Sequence, residues 1–174
     1  MSIANQNYIE PLGVNGKVIL TSFPGLNDDK IFQQNIFLNQ LSMFVRLNCS
    51  TIVSLVEDSE FDQMCEKKLF VRNIYNHNLK WIHMPIEDLS VPDYEFKQKW
   101  ITTKILLKTD LLKGNNIVLH CYGGKGRAGT IAAILLIEFG EINENAIKIV
   151  RKKRIGAIET KEQEQFILNY KTIA

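Results

Sequence analysis

The chain has 174 residues, of which 45% are hydrophobic and 23% charged, and its formal net charge at pH 7 is +2. This composition is typical of a globular protein and excludes a disordered chain, while the length favours one domain over residues 1–174. The small net charge gives no reason to expect a nucleic-acid partner. No apolar run is long enough for a membrane span, and residues 1–8 lack the features of a signal peptide. Because the three cysteines form no disulfide framework, we expect a cytoplasmic protein.

The predicted elements alternate between strands and helices. Asn15-Gly16 lies between extended runs and predicts a hairpin, with residues 1–16 forming an N-terminal extension and its start. Asp28 is the predicted N-cap of a long helix whose apolar residues are Ile31, Phe32, Ile36, Leu38, Leu41 and Val45. The later elements are a buried strand over 51–56, a helical stretch over 57–75, a strand over 80–84, a loop over 85–92, a helix over 93–112, a strand over 117–120, and helices over 128–139, 143–152 and 161–173. The alternation predicts an α/β fold with a mostly parallel central sheet flanked by helices on both faces.

The most informative segment is 120–130, His-Cys-Tyr-Gly-Gly-Lys-Gly-Arg-Ala-Gly-Thr, between a predicted strand and a predicted helix. Ligands bind at the carboxyl edge of such sheets. The glycines allow successive N–H groups to point inward, and the helix N-terminus adds partial positive charge. We therefore expect an oxyanion site formed by Tyr122, Gly123, Gly124, Lys125, Gly126 and Arg127.

Two side chains of this segment bring chemistry to the expected oxyanion site. The planar guanidinium of Arg127 can bind two phosphoryl oxygens at once. Cys121 lies at the bottom of the same loop, where a field that attracts phosphate also stabilises a thiolate. The segment therefore combines a receptor for a phosphate dianion with a sulfur nucleophile.

Other ligand classes do not fit these residues. A nucleotide-binding loop needs Gly-Lys-Ser/Thr, whereas Lys125 is followed by Gly126. A zinc site needs closely spaced Cys or His residues. The candidates Cys49, Cys65, Cys121, His77, His83 and His120 are scattered. We expect no metal and no cofactor.

The order His120, Cys121, glycines, Arg127 resembles the signature of the cysteine-dependent protein tyrosine and dual-specificity phosphatases. Further segments occur in the same order and are most similar to the kinase-associated phosphatase branch, of the cyclin-dependent kinase inhibitor type. They are Phe23-Pro24-Gly25, Met84 to Asp88, Val91-Pro92-Asp93 and Gly156 to Thr160. The likeness extends over about 17–173. It implies a dual-specificity-phosphatase-like fold and phosphorylated proteins as substrates.

The resemblance also implies residue roles. Cys121 attacks phosphorus to form a phosphocysteine, and Asp88 in the 85–92 loop protonates the leaving oxygen. His120 orients the loop and favours the thiolate. Asp93 is the alternative acid, although its place after Pro92 and before a helix indicates an N-cap. Glu87 is expected to point away.

Two departures from the family pattern concern the second step. Most relatives carry Ser or Thr after the arginine, to help the thiolate leave, whereas this chain has Ala128, with Thr130 two residues on. Glu159 stands where tyrosine-specific relatives place a water-positioning Gln, and Gln163 matches the second Gln of that motif. A structural glutamate is the alternative interpretation of Glu159.

The choice of substrate stays open between two classes. Lys125 resembles the lysines of phosphoinositide phosphatases, although their other lysine position is Tyr122 here. The basic run 151–154 is interpreted as a solvated helix end rather than a substrate contact. A phosphate-binding pseudophosphatase is a further alternative, and the sequence does not indicate the oligomeric state. Cys49 is expected to be structural and Cys65 to be a buried helical residue rather than a resolving thiol.

Overall fold

The computed structural model describes residues 8–172; the expectations for residues 1–7 and Ile173 lie outside it. The strands are β1 Tyr8–Ile9, β2 Val18–Thr21, β3 Cys49–Ser54, β4 Lys80–His83 and β5 Asn116–His120. The helices are α1 Gln34–Arg46, α2 Asp58–Met64, α3 Lys67–Asn76, α4 Tyr94–Leu112, α5 Gly126–Glu138, α6 Asn143–Lys153 and α7 Lys161–Leu168. None of these helices has the length and apolarity needed to cross a membrane.

The described strands form one sheet in the order β1-β2-β5-β3-β4. β1 pairs with β2 in an antiparallel hairpin, and the other pairs are parallel. The last residue of β5, His120, is paired with Thr21 on one side and Ser54 on the other. The predicted hairpin and the predicted α/β fold with its mostly parallel sheet are therefore confirmed, and the central strand leads directly into the glycine-rich segment.

Helices cover both faces of the sheet. On one face, α1, α2 and α3 pack through an aromatic cluster, in which Phe37 and Phe70 stack with ring centroids 4.5 Å apart. His120 joins this cluster edge-on to Phe23. On the other face lie α4 and α5, and α5 is buried along its whole length beneath α6 and α7. The segment 120–126 thus connects a buried strand to a buried helix, which holds both of its ends rigidly.

The expected start of the first long helix was wrong. Asp28 lies in a turn, and α1 begins at Gln34. The side-chain oxygen of Asn27 accepts from the backbone N–H of Ile31, an alternative to helical pairing that polar residues offer the backbone. Ile31 is exposed in consequence. The buried face of α1 comprises Phe37, Leu41 and Phe44, a different register from the one expected.

Two further boundaries differ from expectation. The last helix ends at Leu168 rather than near 173. There the side-chain Nδ2 of Asn143 donates to the carbonyl groups of Ile167, Leu168 and Tyr170. Cys65 was expected to be a buried helical residue, but it is only half-buried and lies between α2 and α3. Burial raises the pKa of Cys65 to about 12, as it does for Cys49, so both remain thiols.

Candidate active site

The glycine-rich segment forms a tight loop between β5 and α5. The backbone N–H of Gly124 donates to Sγ of the buried Cys121 at 3.2 Å. Gly124 has φ of +68°, and a Cβ on it would lie 2.3 Å from the carbonyl of Thr21. Only glycine fits here, because both the dihedral and the neighbouring strand exclude a side chain.

The carbonyl groups of residues 122–125 all accept hydrogen bonds from outside the loop. The backbone N–H of Phe23 donates to the carbonyl of Tyr122, and that of Gly129 to the carbonyl of Lys125. The guanidinium of Arg154 donates to the two carbonyls between them, those of Gly123 and Gly124. In a trans peptide the N–H points away from the carbonyl. The N–H groups of 123–126 therefore face the opposite, concave side, which is the arrangement of an anion-binding nest.

Arg127 lies in the first turn of α5 and is almost completely buried. Its Nη1 donates to Glu60 Oε2 at 2.5 Å and to the carbonyl of Ile86 at 3.0 Å. Burial opposes its charge, but the hydrogen bonds and charge of Glu60 raise the pKa of Arg127 overall. Its Nε is buried and has no hydrogen-bond partner among the described residues. Arg127 thus keeps one donor for a ligand.

The carboxylate of Glu60 was not anticipated as part of the site. It forms a bidentate pair with Arg127, and Oε2 also accepts from the backbone N–H of Glu57 at the start of α2. The only signal in the sequence was the spacing of Glu57 and Glu60, which is typical of a capping box. The same carboxylate therefore caps a helix and orients the arginine.

The 85–92 loop, which carries the predicted acid Asp88 and is called the acid loop below, lies beside Arg127. Asp88 Oδ1 is 2.9 Å from Nη2 of Arg127, while the side chain of Asp88 remains 64% exposed. Asp93 accepts from the N–H of Phe96 at 2.7 Å and caps α4, as expected. Glu87 is exposed. Of the three carboxylates considered, Asp88 is the one the fold brings to the arginine.

His120 is held in a chain of hydrogen bonds. The Trp81 indole donates to Ser54 Oγ at 2.8 Å, and Ser54 Oγ lies 2.6 Å from His120 Nε2. Because an indole can only donate, Ser54 Oγ accepts from Trp81, and its own O–H is free to donate a hydrogen bond to Nε2 of His120. Burial lowers the pKa of His120 to about 3, so the ring is neutral. The ring directly before Cys121 is thereby fixed in orientation.

The two residues at the start of α7 have different surroundings. Gln163 is fully buried; its side-chain oxygen accepts from the N–H of Glu159, and its Nε2 donates to the carbonyl of Ser90 at 3.1 Å. The side chain thus joins α7 to the acid loop. Glu159 is exposed, and a Cβ on Gly126 would lie 2.5 Å from its Oε2. Both residues lie beside the loop.

The remaining residues considered lie in and around the same loop. Ala128 is buried, and the Thr130 hydroxyl donates to the carbonyl of Gly126 at 2.9 Å. Tyr122 and Lys125 are exposed at the rim. The positions of these four side chains are compatible with roles in and around an oxyanion loop.

The basic run 151–154 was expected to be a solvated helix end, which holds for the exposed Lys152 but not for its two arginines. Arg151 donates to the carbonyls of Ala157 and Ile158 and pairs with Glu164. Arg154 donates to the loop carbonyls of Gly123 and Gly124. Both arginines therefore brace backbone, which periodicity and charge counting could not reveal.

The site has the parts of a cysteine-dependent phosphatase. They are a buried cysteine in an amide nest, a buried arginine and a neighbouring carboxylate. A family model described as a Swiss Army Knife protein, DSP-PTPase phosphatase domain, matches residues 33–167. The protein tyrosine phosphatase type IVA 2 of Mus musculus is 30% identical over 130 residues, covering 74% of this chain and 71% of its own. The chain belongs to the family of dual-specificity and protein tyrosine phosphatases, as the resemblance in the sequence predicted.

Solved structures share the fold. A kinase-associated phosphatase carrying serine in place of its catalytic cysteine superposes with a TM-score of 0.74 at 22% identity, covering 87% of this chain and 83% of its own. PTPMT1 in complex with PI(5)P superposes with a TM-score of 0.63 at 18% identity, covering 87% of each chain. At these identities the likeness concerns the fold alone.

Proposed function

We propose that the protein hydrolyses phosphate monoesters without a metal, through a phosphocysteine intermediate, on phosphoproteins in the cytoplasm. The observation that carries this proposal is the meeting of three groups: Cys121 Sγ beneath the loop amides, the buried Nε of Arg127, which has no partner within residues 8–172, and the Asp88 carboxylate 2.9 Å from the same guanidinium. They supply a nucleophile, a receptor for the phosphoryl oxygens and a proton donor.

The reaction has two steps. Cys121 thiolate attacks phosphorus in line, the P–O bond to the leaving group breaks, and protonated Asp88 gives its proton to the departing oxygen. Water then attacks phosphorus, Asp88 takes its proton, and the S–P bond breaks to return the thiolate and release phosphate. The charge on the equatorial oxygens is held by the loop N–H groups and Arg127.

Phosphotyrosine is the preferred substrate, with phosphoserine and phosphothreonine accepted as well. Two exposed apolar side chains support an aryl leaving group: Tyr122 in the loop and Leu89 beside Asp88. The relationship to a protein tyrosine phosphatase type IVA 2 agrees with this assignment.

Replacing the nucleophile tests the mechanism. Cys121→Ser should abolish hydrolysis of an aryl phosphate, because a serine hydroxyl is not ionised by this loop, yet it should retain binding of phosphate esters through the amides and Arg127. Turnover is measured with an aryl phosphate and binding by calorimetry with a phosphotyrosine peptide. Wild-type protein that binds but does not hydrolyse would indicate a pseudophosphatase, and turnover by Cys121→Ser would contradict the mechanism.

A phosphoinositide or inositol phosphate is the second candidate substrate. Lys125 is exposed at the rim of the loop, where it could meet a polyanionic head group, and PTPMT1, which shares the fold, has been solved with PI(5)P. Turnover of phosphotyrosine peptides and of phosphoinositides should be compared at equal concentration. A kcat/KM higher for the lipid, and lost in Lys125→Gln, would favour this candidate over phosphoproteins.

A further inference from the structure

We propose that Arg154 is a positioning residue that orients and polarises the peptide groups holding the Cys121 thiolate. The inference rests on the proposed function, because it takes Cys121 as the nucleophile. It concerns a side chain from the end of α6, about thirty residues along the chain from the loop that it contacts.

One peptide unit joins Arg154 to the nucleophile. Nη2 of Arg154 donates to the carbonyl of Gly123 at 3.0 Å. The N–H of that same peptide belongs to Gly124, and it donates to Cys121 Sγ at 3.2 Å. A cation bound at the carbonyl end draws electron density from the amide and strengthens its N–H as a donor to a negative sulfur.

The neighbouring peptide is held in the same way. Nε of Arg154 donates to the carbonyl of Gly124 at 3.2 Å. The N–H of that peptide belongs to Lys125 and faces the concave side of the loop. The planar guanidinium therefore fixes two consecutive peptide planes, a task for which its fork of donors is suited and a single ammonium is not.

The peptides involved need an external support. Gly123 and Gly124 have no side chain to restrain the backbone; Gly123 also has open space where a Cβ would lie, while Gly124 packs against the backbone of Thr21. A Gly–Gly peptide samples more conformations than any other, and rotation about it would turn the N–H away from sulfur.

Arg154 itself is well placed. Its backbone N–H donates to the carbonyl of Val150 in α6, and its own carbonyl accepts from the backbone N–H of Ala157.

The test is the pH dependence of Cys121 alkylation by iodoacetamide, followed by mass spectrometry of the Cys121 peptide. In Arg154→Gln the midpoint of the alkylation profile should move up by about one pH unit, the size expected for weakening one hydrogen bond to a charged group. Arg154→Lys keeps the charge but not the fork, so its midpoint should lie between those of Arg154→Gln and the wild type. Lys152→Gln removes an exposed charge from the same run and should leave the midpoint unchanged.

The other charged or titratable groups around the loop stay the same in all these variants. They are His120 on β5, Arg127 on α5, Glu60 on α2, Asp88 in the acid loop, and Lys125 and Glu159 at the rim. An Arg154→Gln midpoint equal to that of the wild type would overturn the inference. If Arg154→Gln does not fold, as judged by circular dichroism, an unchanged midpoint in Arg154→Lys overturns it instead. Alkylation needs no turnover, so a protein without phosphatase activity whose midpoint still responds to Arg154 would refute the proposed function alone.

Discussion

Asp88 is tied to Arg127 by one oxygen and otherwise faces solvent, a position from which it could reach the leaving oxygen of a bound ester. Asp88→Asn keeps a polar side chain but removes the acidic proton. We expect kcat/KM to fall by about 100-fold for aryl phosphates with poor leaving groups and much less for those with good ones, which need little proton assistance. The measurement is kcat/KM, which reports the first step, across a series of aryl phosphates of increasing leaving-group pKa.

Asp93→Asn is the matched control for this substitution. Asp93 caps α4, so its replacement should lower stability by at most about 1 kcal/mol without changing the dependence of rate on the leaving group. The reverse pattern, with a leaving-group effect for Asp93→Asn and none for Asp88→Asn, would show that Asp93 is the acid.

Ala128 has no hydroxyl that could donate to the departing sulfur in the second step of the proposed mechanism. The Thr130 hydroxyl is directed to the carbonyl of Gly126 instead. A hydrogen bond to a charged group contributes about 1.5–3 kcal/mol, or roughly ten- to a hundredfold in rate. Hydrolysis of the phosphocysteine should therefore limit turnover, and rapid mixing with an aryl phosphate should show a burst near one equivalent of enzyme.

Two variants separate the contributions to that burst. Ala128→Ser should raise the steady-state rate and reduce the burst, because it restores a donor to the leaving sulfur. Thr130→Ala should change neither if its hydroxyl serves only the helix backbone. A linear time course from the first turnover, identical in Ala128→Ser, would mean that this departure from the family pattern has no kinetic effect.

At the scale of elements, the acid loop and α7 depend on each other. Leu89, next to Asp88, has φ of +59°, a conformation that costs about 1 kcal/mol for a residue with a side chain. The loop is held by the Arg127 contacts on one side and by Gln163 Nε2, which donates to the carbonyl of Ser90, on the other. Without the second contact, we expect Asp88 to leave its position.

Gln163→Glu tests this dependence. The carboxylate can still accept from the N–H groups of Glu159 and Thr160, but it faces the Ser90 carbonyl with an oxygen instead of a donor. The kcat/KM for poor leaving groups should fall about tenfold, with good leaving groups little affected. Gln165→Glu makes the same charge change at an exposed position of α7 and should have no effect. A uniform loss across all leaving groups would indicate general damage rather than displacement of the acid.

The elements also show which features a sequence can reveal. The segment 120–127 is contiguous, so its glycines, its cysteine and its arginine were predictable from local spacing. Glu60 and Arg154 reach the same loop from α2 and α6 only through tertiary packing, and neither residue type distinguishes such a contact from an ordinary surface charge. The start of α1 was mispredicted because one Asn27 side chain competes with the helix for the backbone.

At the scale of the whole molecule, the buried histidines link stability to pH. His120 stays neutral in the folded state down to a pKa of about 3, whereas in the unfolded chain it titrates near 6.5. The unfolded state therefore binds the extra proton, and the free energy of unfolding decreases as the pH falls below about 6.5. Burial also lowers the pKa of His83, which adds in the same direction.

The carboxylates affect the free energy of unfolding in a lower pH range. Hydrogen bonds from Lys17 and Lys67 lower the pKa of Glu10 and Asp58, so their contribution to stability is lost only as the pH falls below about 4.5. Between pH 6.5 and 4.5 the histidines should dominate, and His120 alone should account for roughly 2–3 kcal/mol of lost stability by pH 4.5. Urea unfolding across this range measures the slope.

His120→Asn removes the titrating ring, so its stability, although lower at pH 7, should change less between pH 6.5 and 4.5 than that of the wild type. Equal slopes in His120→Asn and the wild type would show that His120 is not the group that makes the fold sensitive to acid.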